Sequence, residues 1–159
     1  MKHRLKKLLI IGGSGLVGST LVKYAKMKYD IHITINKNKS VFNDVPTTQI
    51  DLINDQASII DLIRNFNPDI VVSTAAHSSV DFCEIDHKLA NTLHVDAINY
   101  IAKVCRQIDA KLIFLSTDAV FNGKLIQNIR KMIFQTQSII TERQNSKLKI
   151  LYYNHLKKM

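Results

Sequence analysis

The stretch Lys7–Gly18, KLLIIGGSGLVG, leaves a folding chain few choices. The unbroken apolar run has no polar face to offer water. It therefore reads as a strand covered on both sides, the habit of parallel sheets. Glycines at 12, 15 and 18 follow as G-x-x-G-x-x-G, and apolar positions at helical spacing run on through Tyr29. A strand that turns on glycine into a helix presents the helix's free N–H groups and positive dipole end at the turn. Glycine supplies positive φ there, lets the backbone approach a ligand and packs the helix tightly on the sheet. The group that fits is a pyrophosphate, held by Gly12, Ser14, Gly15, Leu16, Val17 and Gly18. A glycine motif alone is weak evidence, and the competing reading is a merely structural tight turn. The strand before it and the helix after it make this one informative.

The rest of the chain alternates in the same way. IHITIN and TTQID read as the second and third strands, and DQASIIDLIRNF as a helix capped by Asp55. PDIVVSTAA is the fourth strand and AKLIFLST the fifth. Between them KLANTLHVDAINYIAKVCRQI reads as one long helix with a stripe of Leu89, Leu93, Ala97, Ile101 and Val104. Strands alternating with helices make an α/β protein, a Rossmann-type doubly wound parallel sheet with right-handed crossovers. About five strands are legible, so the sheet is expected to be incomplete.

The second strand ends in Asn36, Lys37, Asn38 and Lys39. Folds that bind NAD usually place an acid there for the ribose 2′-hydroxyl. Cations suit a 2′-phosphate instead, which favours NADP(H) over NAD; a solvated loop with incidental lysines is the bland reading. Asp51, after the third strand, either contacts the adenine region or caps a turn.

Composition excludes other classes. The chain is 46% apolar, which argues for a globular domain. No run approaches the ~20 apolar residues of a membrane span. MKHRLKKLLIIGG has a basic start but leads into the glycine turn without a cleavage site, so it reads as a strand and not a signal peptide. Cys83 and Cys105 suit no metal site and read as reduced thiols of a cytoplasmic protein. The net charge of +9 is uneven. Beyond Lys124 the cations Arg130, Lys131, Arg143, Lys147, Lys149, Lys157 and Lys158 face the single acid Glu142, and no glycine or proline occurs. The expected division is therefore a cofactor-binding domain over 1–124 and an atypical basic tail over 125–159, partly helical or poorly ordered.

Taken in order, the glycine turn, VVSTAAHSSVDFCE and FLSTDAVFNGK resemble the dTDP-4-dehydrorhamnose reductase family of extended short-chain dehydrogenases, over residues 7–124. The resemblance implies reduction of a keto group on a nucleotide-linked deoxysugar by NAD(P)H. It implies that Gly12, Gly15 and Gly18 hold the pyrophosphate and that Asp51 and Leu52 border the adenine. Ala75, Ala76 and His77 would lie along the cofactor. Thr117 would be the catalytic hydroxyl, bonded to the substrate oxygen where charge develops. Each has a bland alternative: small residues at a crowded strand end, a loop histidine, a turn cap. His94 departs from the family's Asn.

A larger departure follows. The family needs Tyr-x-x-x-Lys soon after STD, the Tyr to move a proton and the Lys to lower its pKa. In the tail only Tyr153 and Lys157 have that spacing, 36 residues past Thr117 for the tyrosine, and they read as coincidence. The sugar-binding half of the family pattern is also missing. Codons exist that encode Leu125–Lys149 as written and, read one base out of phase, spell NTKYTEDDIPNPINYYGKTKLEAE, which resembles the family's next segment. Met132 before Ile133 forces one aspartate of that string, and the other positions permit theirs. This leads to the expectation of a reading-frame change near codon 124, for which the coding DNA is decisive. The readings in order are a truncated reductase with little activity, a non-catalytic nucleotide-binding regulatory module, and, last, a nucleic-acid binder acting through the basic tail. No membrane partner is expected. The exact sugar and the oligomeric state are left open.

Overall fold

The expected alternation is present in a computed structural model of the chain, which describes residues 4–38, 42–76 and 85–115. The elements are β1 (Lys7–Ile11), α1 (Leu16–Ala25), β2 (Asp30–Ile35), β3 (Thr47–Gln49), α2 (Gln56–Phe66) and β4 (Ile70–Ser73). They are followed by α3 (His87–Asn91), a π turn at Thr92–Asp96, α4 (Ala97–Gln107) and β5 (Lys111–Phe114). All strand pairs are parallel, in the order β3-β2-β1-β4-β5. The chain walks outward from β1 to β3, then returns to lay β4 on the other side of β1. That reversal makes the carboxyl ends of β1 and β4 the switch point of the sheet, where folds of this kind bind their ligands.

Two units make up the chain: Met1–Ala76 with Ala97–Leu115, and His77–Asp96 with Ser116–Met159. The first holds the sheet, α1, α2 and α4. Leu8 and Ile10 of β1, Ile31 and Ile33 of β2 and Val72 of β4 bury one face against Val22 and Ala25 of α1. By period-two alternation Leu9, Ile11 and Val71 point the other way. All three are fully buried, as are Ile59 and Ile63 of α2 and Ile101 of α4. Each such side chain contributes about 1.5–3 kcal/mol of burial, so the central strands carry the stability. β5 is less covered, with Ile113 38% exposed.

Local signals place the helices. Asp55 caps α2 by accepting from the Ser58 N–H at 3.1 Å. The helix stops at Asn67, which takes φ 49° ahead of Pro68, a left-handed stop that Asn tolerates. In the second unit Asp86 caps α3 through the Leu89 N–H at 2.9 Å. The long helix expected after the fourth strand is divided by the π turn. Its apolar stripe steps by four residues at Leu89, Leu93, Ala97 and Ile101, and each step outruns the helical period by about 40°. The wider i→i+5 turn accommodates that spacing.

His32 of β2 sits half-buried on the α2 face. Its Nε2 lies 2.8 Å from Thr48 Oγ1 and its ring 5.3 Å from that of Phe66. Burial lowers its pKa from 6.5, only partly offset by Asp30. The unfolded chain therefore takes up this proton before the folded one does. Stability should be full above about pH 6.5 and fall as the pH drops through the lowered folded value. Urea unfolding at pH 7.5 and pH 5.5 checks this. His32→Gln should flatten the difference, and an unchanged difference would assign it elsewhere.

Candidate functional site

The glycine turn is built by bonds from two neighbouring strands. Gly12 has φ 87°, which only glycine adopts without strain. The N–H groups of Gly12 and Gly13 both donate to the Thr34 carbonyl of β2, at 3.2 and 2.8 Å. Thr74, just past β4, shares its hydroxyl proton between the carbonyls of Ile11 at 2.9 Å and Gly12 at 3.1 Å. The Gly15 N–H closes the turn on the Gly12 carbonyl at 3.1 Å.

The glycines differ in why they are needed. A Cβ on Gly18 would stand 2.2 Å from the Gly12 carbonyl oxygen and 2.9 Å from Thr74 Oγ1, so α1 rests directly on the turn. A Cβ on Gly12 would stand 2.9 Å from the Ala75 nitrogen, and one on Gly13 2.7 Å from Ile33 Cβ. At Gly15 the nearest atom would be 3.4 Å away, so that side is open. Gly15 caps α1 without a side-chain bond, and helix geometry leaves the N–H groups of Leu16, Val17 and Gly18 without intrahelical partners. Leu16 is 87% exposed and Val17 52%. Two apolar side chains in water beside an uncapped helix start form a surface that a ligand would cover. These features fit a pyrophosphate with an organic group on either side.

The other predicted residues that the structure describes gather at the same carboxyl edge. Ile11 pairs with Thr34, and Ile35 with Gln49, so the loops after β1, β2 and β3 stand side by side. Asn36 and Lys37 are exposed there. Asp51 accepts from the Ile53 N–H at 3.0 Å and from Asn54 Nδ2 at 2.9 Å, so it does cap its own turn. The Ile53 N–H chiefly, with Asn54 and the Lys37 cation, holds its carboxyl below the usual range. Leu52 is buried. Ala75 is half-buried against Gly12, and Ala76 is exposed. Ser14 lies in the turn, half-buried. His77, Thr117, Lys39, Cys83 and the whole tail lie outside the described residues. Sequence reasoning passed over Gly13, Thr34 and Thr74. The only hint was their position: a residue beside the motif, and threonines at the ends of two strands that border it.

Cys105 is buried in α4 with its thiol pushed up to about 12, which makes it a core side chain and not a nucleophile. No cluster of metal-binding side chains occurs among the described residues. None of the described helices is long and apolar enough to cross a membrane. A cleft of about 560 Å³ opens at the opposite, amino edge of the sheet, between Arg4, Lys26, Tyr29, Asp44 and Pro46. Its Lys26 and Asp44 are already paired at 2.9 Å. The described residues read as site residues lie at the carboxyl edge of the sheet, away from this cleft.

A family model described as the RmlD substrate binding domain matches residues 6–146. The chain belongs to the RmlD substrate binding domain family. The match runs past Lys124, so part of the basic tail falls inside it and the likeness is longer than the 7–124 carried by the motifs. The chain is similar to a probable low-salt glycan biosynthesis reductase of Haloferax volcanii, 29% identical over 115 residues, 72% of this chain and 38% of the relative. A hypothetical dTDP-4-dehydrorhamnose reductase of Sulfolobus tokodaii shares the fold at TM-score 0.78 and 24% identity, over 87% of this chain and 49% of that one. So does a UDP-glucose 4-epimerase of Thermus thermophilus solved with NAD, at TM-score 0.78 and 20% identity, over 96% and 51%. The chain thus spans 38% of the Haloferax relative and about half of each of the two solved proteins. As an RmlD-type domain it is a relative of sugar-nucleotide reductases, and it shares its fold with the two solved proteins above.

Proposed function

We propose that this chain is the cofactor-binding half of an NAD(P)H-dependent reductase of the dTDP-4-dehydrorhamnose reductase type, acting on a nucleotide-linked 4-keto-deoxysugar and preferring NADP(H). The observation that carries the reading is the glycine turn: an uncapped helix start, open at Gly15, beside exposed Leu16 and Val17. A bound reduced nicotinamide would supply the hydride. The chain's own part is to hold and orient. The α1 amides and dipole would take the pyrophosphate, and Leu16 and Val17 would shed water against the ligand. Lys37 would meet the 2′-phosphate. Asp51 and Leu52 would border the adenine, and Ala75, Ala76 and His77 the nicotinamide arm. The Thr117 hydroxyl would bond the sugar's keto oxygen as negative charge gathers there. Proton delivery has no carrier of family-like context in this chain. Turnover should therefore be near background even where the cofactor binds, and the coding DNA beyond codon 124 should carry the Tyr-x-x-x-Lys segment in a second frame.

A fluorescence titration of the purified chain tests the cofactor reading. NADPH should bind more tightly than NADH, by roughly threefold at low salt, the scale of one exposed charge pair. Lys37→Glu should reverse the order through repulsion of the 2′-phosphate. Failure of both nucleotides to bind would overturn the reading, and equal affinities would leave NADP(H) without its advantage.

A further inference from the structure

We infer that Tyr100 of α4 is a positioning residue for the adenosine end of the nucleotide site, acting through the loop over residues 51–55; this rests on the cofactor reading above. The Tyr100 hydroxyl donates to the Leu52 carbonyl at 2.7 Å, across 48 positions of sequence. The two residues belong to the same unit. Leu52 follows Asp51 directly, and every bond seen around this pair holds the loop in one shape. The Ile50 N–H ties its start to the Ile35 carbonyl of β2 at 2.8 Å. The Asp55 N–H closes onto the Asp51 carbonyl at 2.8 Å. The Asp51 carboxylate takes Ile53 and Asn54. The Leu52 side chain is buried below.

Within that set Tyr100 has a particular place. The other bonds are made within the loop or to the adjoining strand, and they shape it. Tyr100 reaches it from a helix, so it sets where the loop stands over the sheet. α4 packs beside α2, whose amino end the same loop leads into. The loop is therefore pinned to the sheet on one side and to α4 on the other before any ligand arrives. A rim fixed in advance spares a ligand the cost of ordering it. A carboxylate that already accepts two bonds retains lone pairs for a purine amino group, provided the loop is held at the right height. The sequence alone could not show this, because Tyr100 is one aromatic on an amphipathic helix and Leu52 contributes only a backbone oxygen.

Calorimetric titration of wild type and Tyr100→Phe with two probes, ADP-ribose and inorganic pyrophosphate, tests the assignment, with the thermal midpoint read on the same samples. Loss of one hydrogen bond should weaken ADP-ribose roughly fivefold. Pyrophosphate, which needs only the glycine turn, should change by less than about twofold. A general loss of structure would weaken both probes together, and that result overturns the inference. So does an unchanged ADP-ribose affinity in Tyr100→Phe. A wild-type chain that binds neither probe overturns the cofactor reading itself, and this inference with it.

Discussion

Gly18→Ala should cost this chain about 3 kcal/mol or more, whereas Gly15→Ala, three residues earlier in the same motif, should cost no more than about 1 kcal/mol. The contrast follows from what a methyl group meets. At residue 18 it would stand 2.2 Å from a backbone oxygen of the turn, which no side-chain rotation relieves. Either α1 lifts from β1 or the turn opens, and both undo packing of Val22 and Ala25 against the sheet. At residue 15 the nearest atom is 3.4 Å away and φ is −74°, so alanine fits and the cost is only a weaker helix cap. The methyl would, however, occupy the open side of the turn, where the proposed cofactor's phosphate would approach. Gly15→Ala should therefore keep its thermal midpoint within a few degrees and lose NADPH affinity by roughly tenfold or more. Circular dichroism melts together with NADPH titrations separate the two cases. Indistinguishable behaviour of the two variants would show that the motif is not divided in this way.

Thr74→Val should lower stability by about 1–2 kcal/mol and weaken NADPH binding by up to roughly tenfold. The hydroxyl holds the carbonyls of Ile11 and Gly12 together, at 2.9 and 3.1 Å. Each carbonyl also has a backbone donor, Thr74 and Gly15 respectively, so neither is stranded outright. What is lost is the clamp that keeps Gly12 at φ 87° with its oxygen under Gly18. The valine methyl is also bulkier than the hydroxyl at a point already in close contact. Thr74→Ser keeps the donor and should retain wild-type affinity. A Thr74→Val protein that melts and binds like wild type would remove the clamp from the account.

The strands and the glycine turn were legible because each has a short-range cause. Leu8–Ile11 can only be covered on both faces, Gly12 and Gly15 stand between a strand and a helix, and Gly18 lies in the first turn of that helix. The cap at Asp55 was legible for the same reason, since the donor to it is Ser58, three residues on. What escaped depends on groups remote in sequence. Thr74 acts on residues 11 and 12 from 62 or more positions away, and Tyr100 acts on a carbonyl. Asp51 was read with two alternatives, and its turn-capping bonds come from Ile53 and Asn54, two and three residues on. The long helix was legible as helical but not as divided, because a four-residue stripe and a 3.6-residue period agree over one turn and part company over three.

The turn's construction bears on what would survive if such a gene lost its selection for catalysis. Gly12, Gly18, Thr34 and Thr74 join β1, β2, β4 and α1 at one point, so losing any of them is expected to loosen the sheet itself. A copy relieved of any duty to catalyse would still be held to these residues as long as misfolded protein harms its host. A proton-donating tyrosine enjoys no such protection. On the cofactor reading proposed above, the glycine turn would thus be the last part of the site to erode, because folding alone would hold it in place.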